Sequence, residues 1–341
     1  MKKVFFYILT FILSLLNFAQ AQNSTDSIRS QYIHEFHDRF YIKPIVTVRS
    51  LSLELADNDK QVASSNYKPS SNNFLGLGLY FFDLGIELSF KLPQDEDQVP
   101  PEIFGETESI DFQTNIYAKK WGGDLSYQEY EGMYLENPKD HSSAWQDGDP
   151  FPIRNDLQLR NIQANGFYVF NHERFSYRSP YIQADQQLKS QGSLQVGLFF
   201  SHFRFSADSS LIPASAQPGF PQNANVRKAK ITTLAVLPGY TYTLTWKNIY
   251  LNAALAVGPG NLWTTYVNDE SEEEKVGIRP VVNARGALGY NGNWYFMGIT
   301  AVNQFVSSRI DNLDVNSNSA NIKLFFGIRF KEKGFLKKEL L

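Results

Sequence analysis

Cysteine is absent from the whole chain of 341 residues. Its absence removes disulfides, thiolate metal sites and cysteine nucleophiles together, and it excludes lipoprotein processing. Beyond residue 21 there is no apolar run of about 18 residues, the minimum for a spanning helix. A transmembrane helix is therefore unavailable after the leader. Neither sign of charge dominates, with a formal net charge of −3 and a pI near 6.0. Nothing in that balance points to nucleic acid. The chain also shows no internal repeat and no helical period sustained long enough for a long helix.

What is present in quantity is aromatic surface. The chain holds 27 Phe, 18 Tyr and 5 Trp, above globular norms, at a mean hydropathy of −0.33. A transmembrane β-barrel has this composition, because lumen and loop residues dilute the lipid-facing half and aromatics gather at its interfaces. The N-terminus, MKKVFFYILTFILSLLNFAQA, reads as a secretory leader: Lys2 and Lys3, an apolar core over 4–18, and Ala19-Gln20-Ala21 as the cleavage site. The expected division is a signal peptide over 1–21, a periplasmic lead-in over 22–39, a barrel over 40–330 and a periplasmic tail over 331–341.

The stretch NIKLFFGIRF (321–330) carries the barrel signal best. Ile322, Leu324, Phe326, Ile328 and Phe330 alternate with Lys323, Phe325, Gly327 and Arg329. A strand with lipid on one face and a polar lumen on the other needs this period of two. Further strand candidates cover 40–55, 74–81, 84–92, 110–120, 124–135, 156–170, 193–205, 231–246, 249–263, 276–290 and 293–306. Short turns, such as Phe82-Asp83, Lys247-Asn248 and the hairpin signal Asn291-Gly292, alternate with long polar loops. The pattern predicts an all-β, antiparallel transmembrane barrel of about 12 strands, with both termini in the periplasm.

Alternation assigns faces. Leu84, Ile86, Leu88, Phe90, Ile110, Phe112, Ile116, Ile249, Leu251, Leu255, Ile278, Val282 and Leu288 are placed outward. The lumen then receives Glu87, Lys91, Asp111, Lys119, Arg279, Arg285, Lys323 and Arg329, because charge on the lipid face costs about 2–4 kcal/mol at the midplane. Two stretches break phase. In 40–55, Val46 and Val48 fall out of step with Leu51, Leu53 and Leu55, which suggests a bulge. In 124–135, Glu129 and Glu131 share a face with Leu125 and Tyr127.

The segment 175–193, FSYRSPYIQADQQLKSQGS, is left over by strand counting; it is polar, and Pro180 argues against a regular central strand. Its F-S-Y-R, Q-x-D-x-Q and K-S-x-G-S pattern resembles an outer-membrane β-barrel family of Bacteroidota catalogued as a domain of unknown function. FYIKPIVTVRSLSLEL, FLGLGLYFFDLGIELSFKLP and SIDFQTNIYAKKWGGDLSYQEYEGMYLEN are similar to that family too. The resemblance implies the barrel and the compartment across the mature chain, and it transfers no activity and no functional residue. On its own residues the segment is a candidate plug over 175–192, in which Arg178, Gln183, Asp185 and Lys189 would bond to the charged lumen wall. An ordinary long turn is the simpler alternative.

Catalytic constellations are thin. The five histidines are His34, His37, His141, His172 and His202. Ser201 and His202 are adjacent and face opposite ways in a strand. His172 and Ser176 lie four apart, a spacing common by chance. His34 and His37 could share a metal if their segment made a helical turn, but a solvated turn is the simpler reading. Asp95-Glu96-Asp97, Asp147-Gly148-Asp149 and Glu272-Glu273-Glu274 read as solvated loops rather than calcium sites.

No metal or cofactor is assigned. The expected partners are outer-membrane lipid and lipopolysaccharide, the barrel assembly machinery, and a periplasmic or outer-membrane protein. Solute passage stands ahead of a non-conducting scaffold, with a lipid hydrolase a distant third.

Overall fold

The computed structural model describes residues 26–58, 63–70, 72–81, 84–213, 226–267, 272–310 and 312–332. The leader over 1–21, the turn Phe82-Asp83, most of the loop over 206–225, Glu270, the tail beyond 332 and the side chains of Leu84 and Ile86 lie outside the described residues.

Strands dominate. They begin with β1 (Ile33–Glu35), β2 (Arg39–Asp57), β3 (Ser65–Lys68), β4 (Asn73–Phe81), β5 (Leu84–Lys91), β6 (Glu108–Tyr117), β7 (Trp121–Leu135) and β8 (Ile153–Val169). They continue with β9 (Asp185–Gln187), β10 (Gln191–Ser206), β11 (Lys228–Trp246), β12 (Ile249–Val267), β13 (Glu272–Asn291), β14 (Tyr295–Ile310) and β15 (Leu313–Lys331). Among the described residues three single-turn α-helices interrupt them, α1 (Asp26–Arg29), α2 (Pro101–Phe104) and α3 (Arg178–Tyr181), with one 3-10 turn over Pro138–Asp140. All pairing is antiparallel, and β15 pairs back onto β2 to close the sheet.

The closed hydrogen-bonded circuit has ten strands, fewer than the expected number, and runs β2-β3-β7-β8 and then β10 through β15. The difference lies at one place. The short β3 bridges β2 to β7, while β4 and β5 hang from β2 and β6 hangs from β7 beside that bridge. β3 is four residues long, too short to show a period of two in the sequence. Arg39 and Lys331, which pair with each other, and the described short turns lie at one end of the barrel, here the turn end. The longer connections gather at the other, the loop end.

The wall has two zones, and this corrects the bulge expected in 40–55. In β2 every odd-numbered residue from Tyr41 to Asp57 is buried, and the register with β15 and β4 does not slip. What changes is the surroundings. Toward the turn end the outside is apolar (Ile42, Val46, Val48) and the inside carries Lys43, Thr47 and Arg49. Toward the loop end the outside carries Ser50, Ser52 and Glu54, and the inside carries Leu51, Leu53 and Leu55.

The same inversion runs through β8, where outward Arg160 gives way to Ile162, and through β10, where outward Arg204 gives way to Phe200. It also accounts for Glu129, which faces outward beside Arg160 and pairs with it. A bulge is present farther along β7, between Glu131 and Met133, at Gly132 with φ of +80°.

The loop-end interior is one continuous apolar core. It joins Leu51 and Leu53 to Tyr130, Leu159, Phe203, Tyr266 and Val306, and takes in Leu211 and Ile212 from the β10–β11 connection. The exterior belt ends toward the turn end in exposed aromatics, among them Trp121, Phe170, Trp246, Trp294 and Phe330.

Candidate functional site: a filled lumen

Below the apolar core lies a polar layer whose bonds cross the barrel. On β5, Glu87 accepts from Lys43 of β2 at 2.7 Å and from Lys323 of β15. Arg49 reaches Ser89 Oγ at 2.6 Å and Asp111 at 2.9 and 3.2 Å. Asp111 also accepts from Gln128 at 2.9 Å and from Tyr130 at 2.6 Å. Arg285 of β13 pairs with Asp124 of β7 and donates to Tyr117 Oη at 2.9 Å. Ser319 bonds Gln128 at 2.7 Å, and Asn321 bonds Gln113 at 2.5 Å. Buried charges are tolerable only when paired and hydrogen-bonded in this way.

At the turn end the leftover segment folds inside the wall. Residues 175–187 are all buried. Tyr181 Oη donates to Asn252 Oδ1 at 2.7 Å, Tyr41 Oη to the Ile182 carbonyl at 2.5 Å, and Tyr250 Oη to the Pro180 carbonyl at 3.3 Å. Lys43 also reaches Gln183 Oε1 at 3.3 Å. Arg329 donates to the Gln183 carbonyl at 2.5 Å and to Asn291 Oδ1 at 2.7 Å, stacked between Phe36 and Phe296. Asp185, fully buried, holds Arg29 at 3.0 Å and accepts from Ser176 Oγ at 2.5 Å. Beneath, β9 pairs with β1 of the lead-in, so the segment is tied from below as well. Lys189 lies over the Tyr32 ring at 4.7 Å.

The lead-in adds its own latch. Burial works against the Glu35 charge, yet hydrogen bonds from His37, Arg29 and Lys119 hold its carboxyl well below the usual range.

The residues singled out in the sequence thus divide. Glu87, Asp111, Arg285 and Lys323 meet in the polar layer, and Arg329, Arg178, Gln183 and Asp185 meet at the turn end. Lys119 lies lower, on Glu35 at 3.0 Å. Lys91 donates to the Thr107 carbonyl at 2.6 Å, near the loop end of β5. Arg279 is elsewhere: it approaches Asp314 at 3.9 Å, on the face of β15 opposite the buried Val315 and Ser317.

Sequence reasoning missed Lys43, Arg49 and Asp124. The first two were readable: counting β2 in uninterrupted phase from Tyr41 puts both inward, and the supposed bulge hid them. Neither serine–histidine pair forms a couple. Ser201 is buried while His202 bonds Thr232 on the outer face, and Ser176 donates to Asp185. Among the described residues no cluster of three metal-ligating side chains occurs.

These features define a closed antiparallel barrel with an apolar exterior belt and a filled interior. The chain belongs to the family described as Domain of unknown function (DUF4421), whose model matches residues 25–330. No curated protein matches it.

Among solved structures it is similar to the outer membrane protease OmpT of Escherichia coli, at 7% identity and a TM-score of 0.40, covering 87% of this chain and 98% of that one. It is similar also to the toluene transporter TodX of Pseudomonas putida (9%, 0.28, covering 87% and 91%). A third is the attachment invasion locus protein Ail of Yersinia pestis (8%, 0.24, covering 84% and 99%). The barrel itself is defined by its own strand pairing, independently of these likenesses.

Proposed function

We propose that the protein is a non-conducting outer-membrane barrel, a structural or partner-binding body whose lumen is closed by the segment over 175–192. The carrying observation is that side chains and the inserted segment occupy the lumen at both ends. Residues 175–187 are all buried inside the wall, and the polar side chains above them bond one another across the lumen. The inserted segment fills the turn end, and the apolar core fills the loop end. Inward charges alone favour solute passage, but here they bond one another across the lumen, which supports a sealed interior over a polar path.

The exterior belt and its aromatics support an outer-membrane location, with the turn end and both termini in the periplasm. Lipid, lipopolysaccharide and the assembly machinery are then its expected surroundings, and the β1–β9 platform is the expected face for a periplasmic partner. A lipid-modifying enzyme has least support. Among the described residues Ser176 and Ser201 have no histidine partner. Ser65 meets His141 Nε2 only at 3.4 Å, with that nitrogen donating to the Ser64 carbonyl at 3.1 Å instead of accepting the serine proton.

Single-channel recording of the refolded mature chain in planar bilayers tests the proposal. Silence is expected, and steady conductance by the intact chain would sink it.

A further inference from the structure

The wall is incomplete along one seam. Among the described residues no backbone hydrogen bond joins β5 to β6, although each is fully paired on its other side. The seam is shut toward the loop end, where Lys91 bonds the Thr107 carbonyl and β3 ties β2 to β7. Below that clip, the cavity of the polar layer opens outward. Its lining includes inward Ser89, Gln113 and Asn115, and also Leu88, Thr114 and Leu125, which alternate onto the outer face. The cavity therefore runs through the wall at the level of the apolar belt.

Three properties of the slot say what fits it. First, its lips are the most exposed apolar side chains of their strands among the described residues: Phe90 is 76% exposed, Ile110 64%, Leu88 56% and Phe112 53%. Second, the interior lacks partners. Arg49 Nε and Gln163 Oε1 are buried without a hydrogen bond, and both residues line the cavity. Third, Lys43 and Lys323 share the single carboxylate of Glu87, a local surplus of one positive charge. Open sheet edges do not persist against bare hydrocarbon, because each unpaired backbone group there costs several kcal/mol. Something amphipathic has to cover this one.

We propose that the β5–β6 seam is a lateral binding site for one glycerophospholipid, its phosphate headgroup in the cavity beside Arg49 and Lys323 and its acyl chains along Leu88, Phe90, Ile110 and Phe112. The site opens to the membrane rather than to either aqueous side, so it goes beyond the closed-barrel reading and is tested separately from conductance.

The test begins with the full mature chain purified from outer membranes in mild detergent, with retained lipid read by native mass spectrometry. One phospholipid per chain is expected. Ser89→Trp, which fills the slot, should lower retention roughly tenfold or more, while Leu255→Trp on the outer face of β12 leaves it unchanged. Both variants are checked for the heat-modifiable gel migration of a folded barrel.

A second arm needs no cavity variant. Because the chain has no cysteine, a nitroxide on Leu88→Cys or Leu255→Cys reports contact with headgroup-labelled phosphatidylglycerol in vesicles. Stronger contact at position 88 is expected. Equal contact at both positions, no retained lipid, lipid unaffected by Ser89→Trp, or a peptide strand or lipid A in its place would each overturn the proposal.

Discussion

At the scale of single residues, the interior is organised around carboxylates that each gather several donors. Asp185 is the strictest case, fully buried between Arg29, Ser176 and Arg178. Removing one member of a buried charge pair strands the other, at a cost of about 3–5 kcal/mol. Asp185→Asn should lower the unfolding free energy of the refolded protein by that order, measured by denaturant titration in detergent, whereas Lys189→Gln should change it little.

Asp156 governs a different site, on the loop-end extension of β8 outside the apolar belt. Hydrogen bonds from Arg154 and from the Asp208 backbone pull its pKa down to about 2, against some burial. A carboxyl depressed in the folded state stabilises above its unfolded pKa, and that contribution fades as pH falls from about 4 toward 2. Hydrogen-exchange protection factors over 207–213, taken relative to the intrinsic rate at each pH, should therefore fall in that window in the native chain. In Asp156→Asn protection there should already be low at neutral pH and change little with acid.

At the scale of elements, the inversion along each long strand follows from what surrounds it. Within the belt the outer face must be apolar because charge there is costly, and the inner face is free to be polar. Beyond the belt water lies outside, and the same inner positions become a conventional core. Leu198 sits in the belt on β10, with its neighbours Val196 and Phe200 also exposed and apolar. Leu198→Arg should destabilise the barrel in lipid vesicles by about 2–4 kcal/mol, and Arg204→Leu, beyond the belt, should not.

Gly132 makes the bulge of β7 possible. Its φ is +80°, its carbonyl accepts from Thr107 Oγ1 at 2.7 Å, and a Cβ there would meet the Glu106 carbonyl. Gly132→Ala should loosen the α2 connection, seen as new protease cleavage between β5 and β6, while leaving the β10–β15 wall intact.

At the scale of the molecule, the proposed closure is redundant. The inserted segment lies in the turn end and the apolar core in the loop end, with the cross-lumen bonds between them. Deleting residues 176–184 therefore should not produce steady conductance. Combined replacement of Leu53, Phe203 and Leu262 by serine in that deletion background should. Recordings from the two variants in planar bilayers separate a double seal from a single plug, and conductance on deletion alone would make the loop-end core no barrier.

The strands, their antiparallel order and the burial of one alternate face were legible in the sequence, because a period of two is imposed locally by the pleat and by the solvents on either side. Leu88, Phe90, Ile110 and Phe112 could be placed outward, and Glu87 and Arg285 inward, from that period alone. The phase inversion near Arg49, Arg160 and Arg204 was legible only as irregularity, since position along a strand relative to a membrane is not a local property. What the tertiary structure alone decided is non-local pairing: β3 bridging β2 to β7, β5 and β6 left apart, and Arg29 and Glu35 drawn under the segment they hold. Those contacts join residues far apart in the chain, and they are selected by the closing of the barrel as a whole, which no local pattern records.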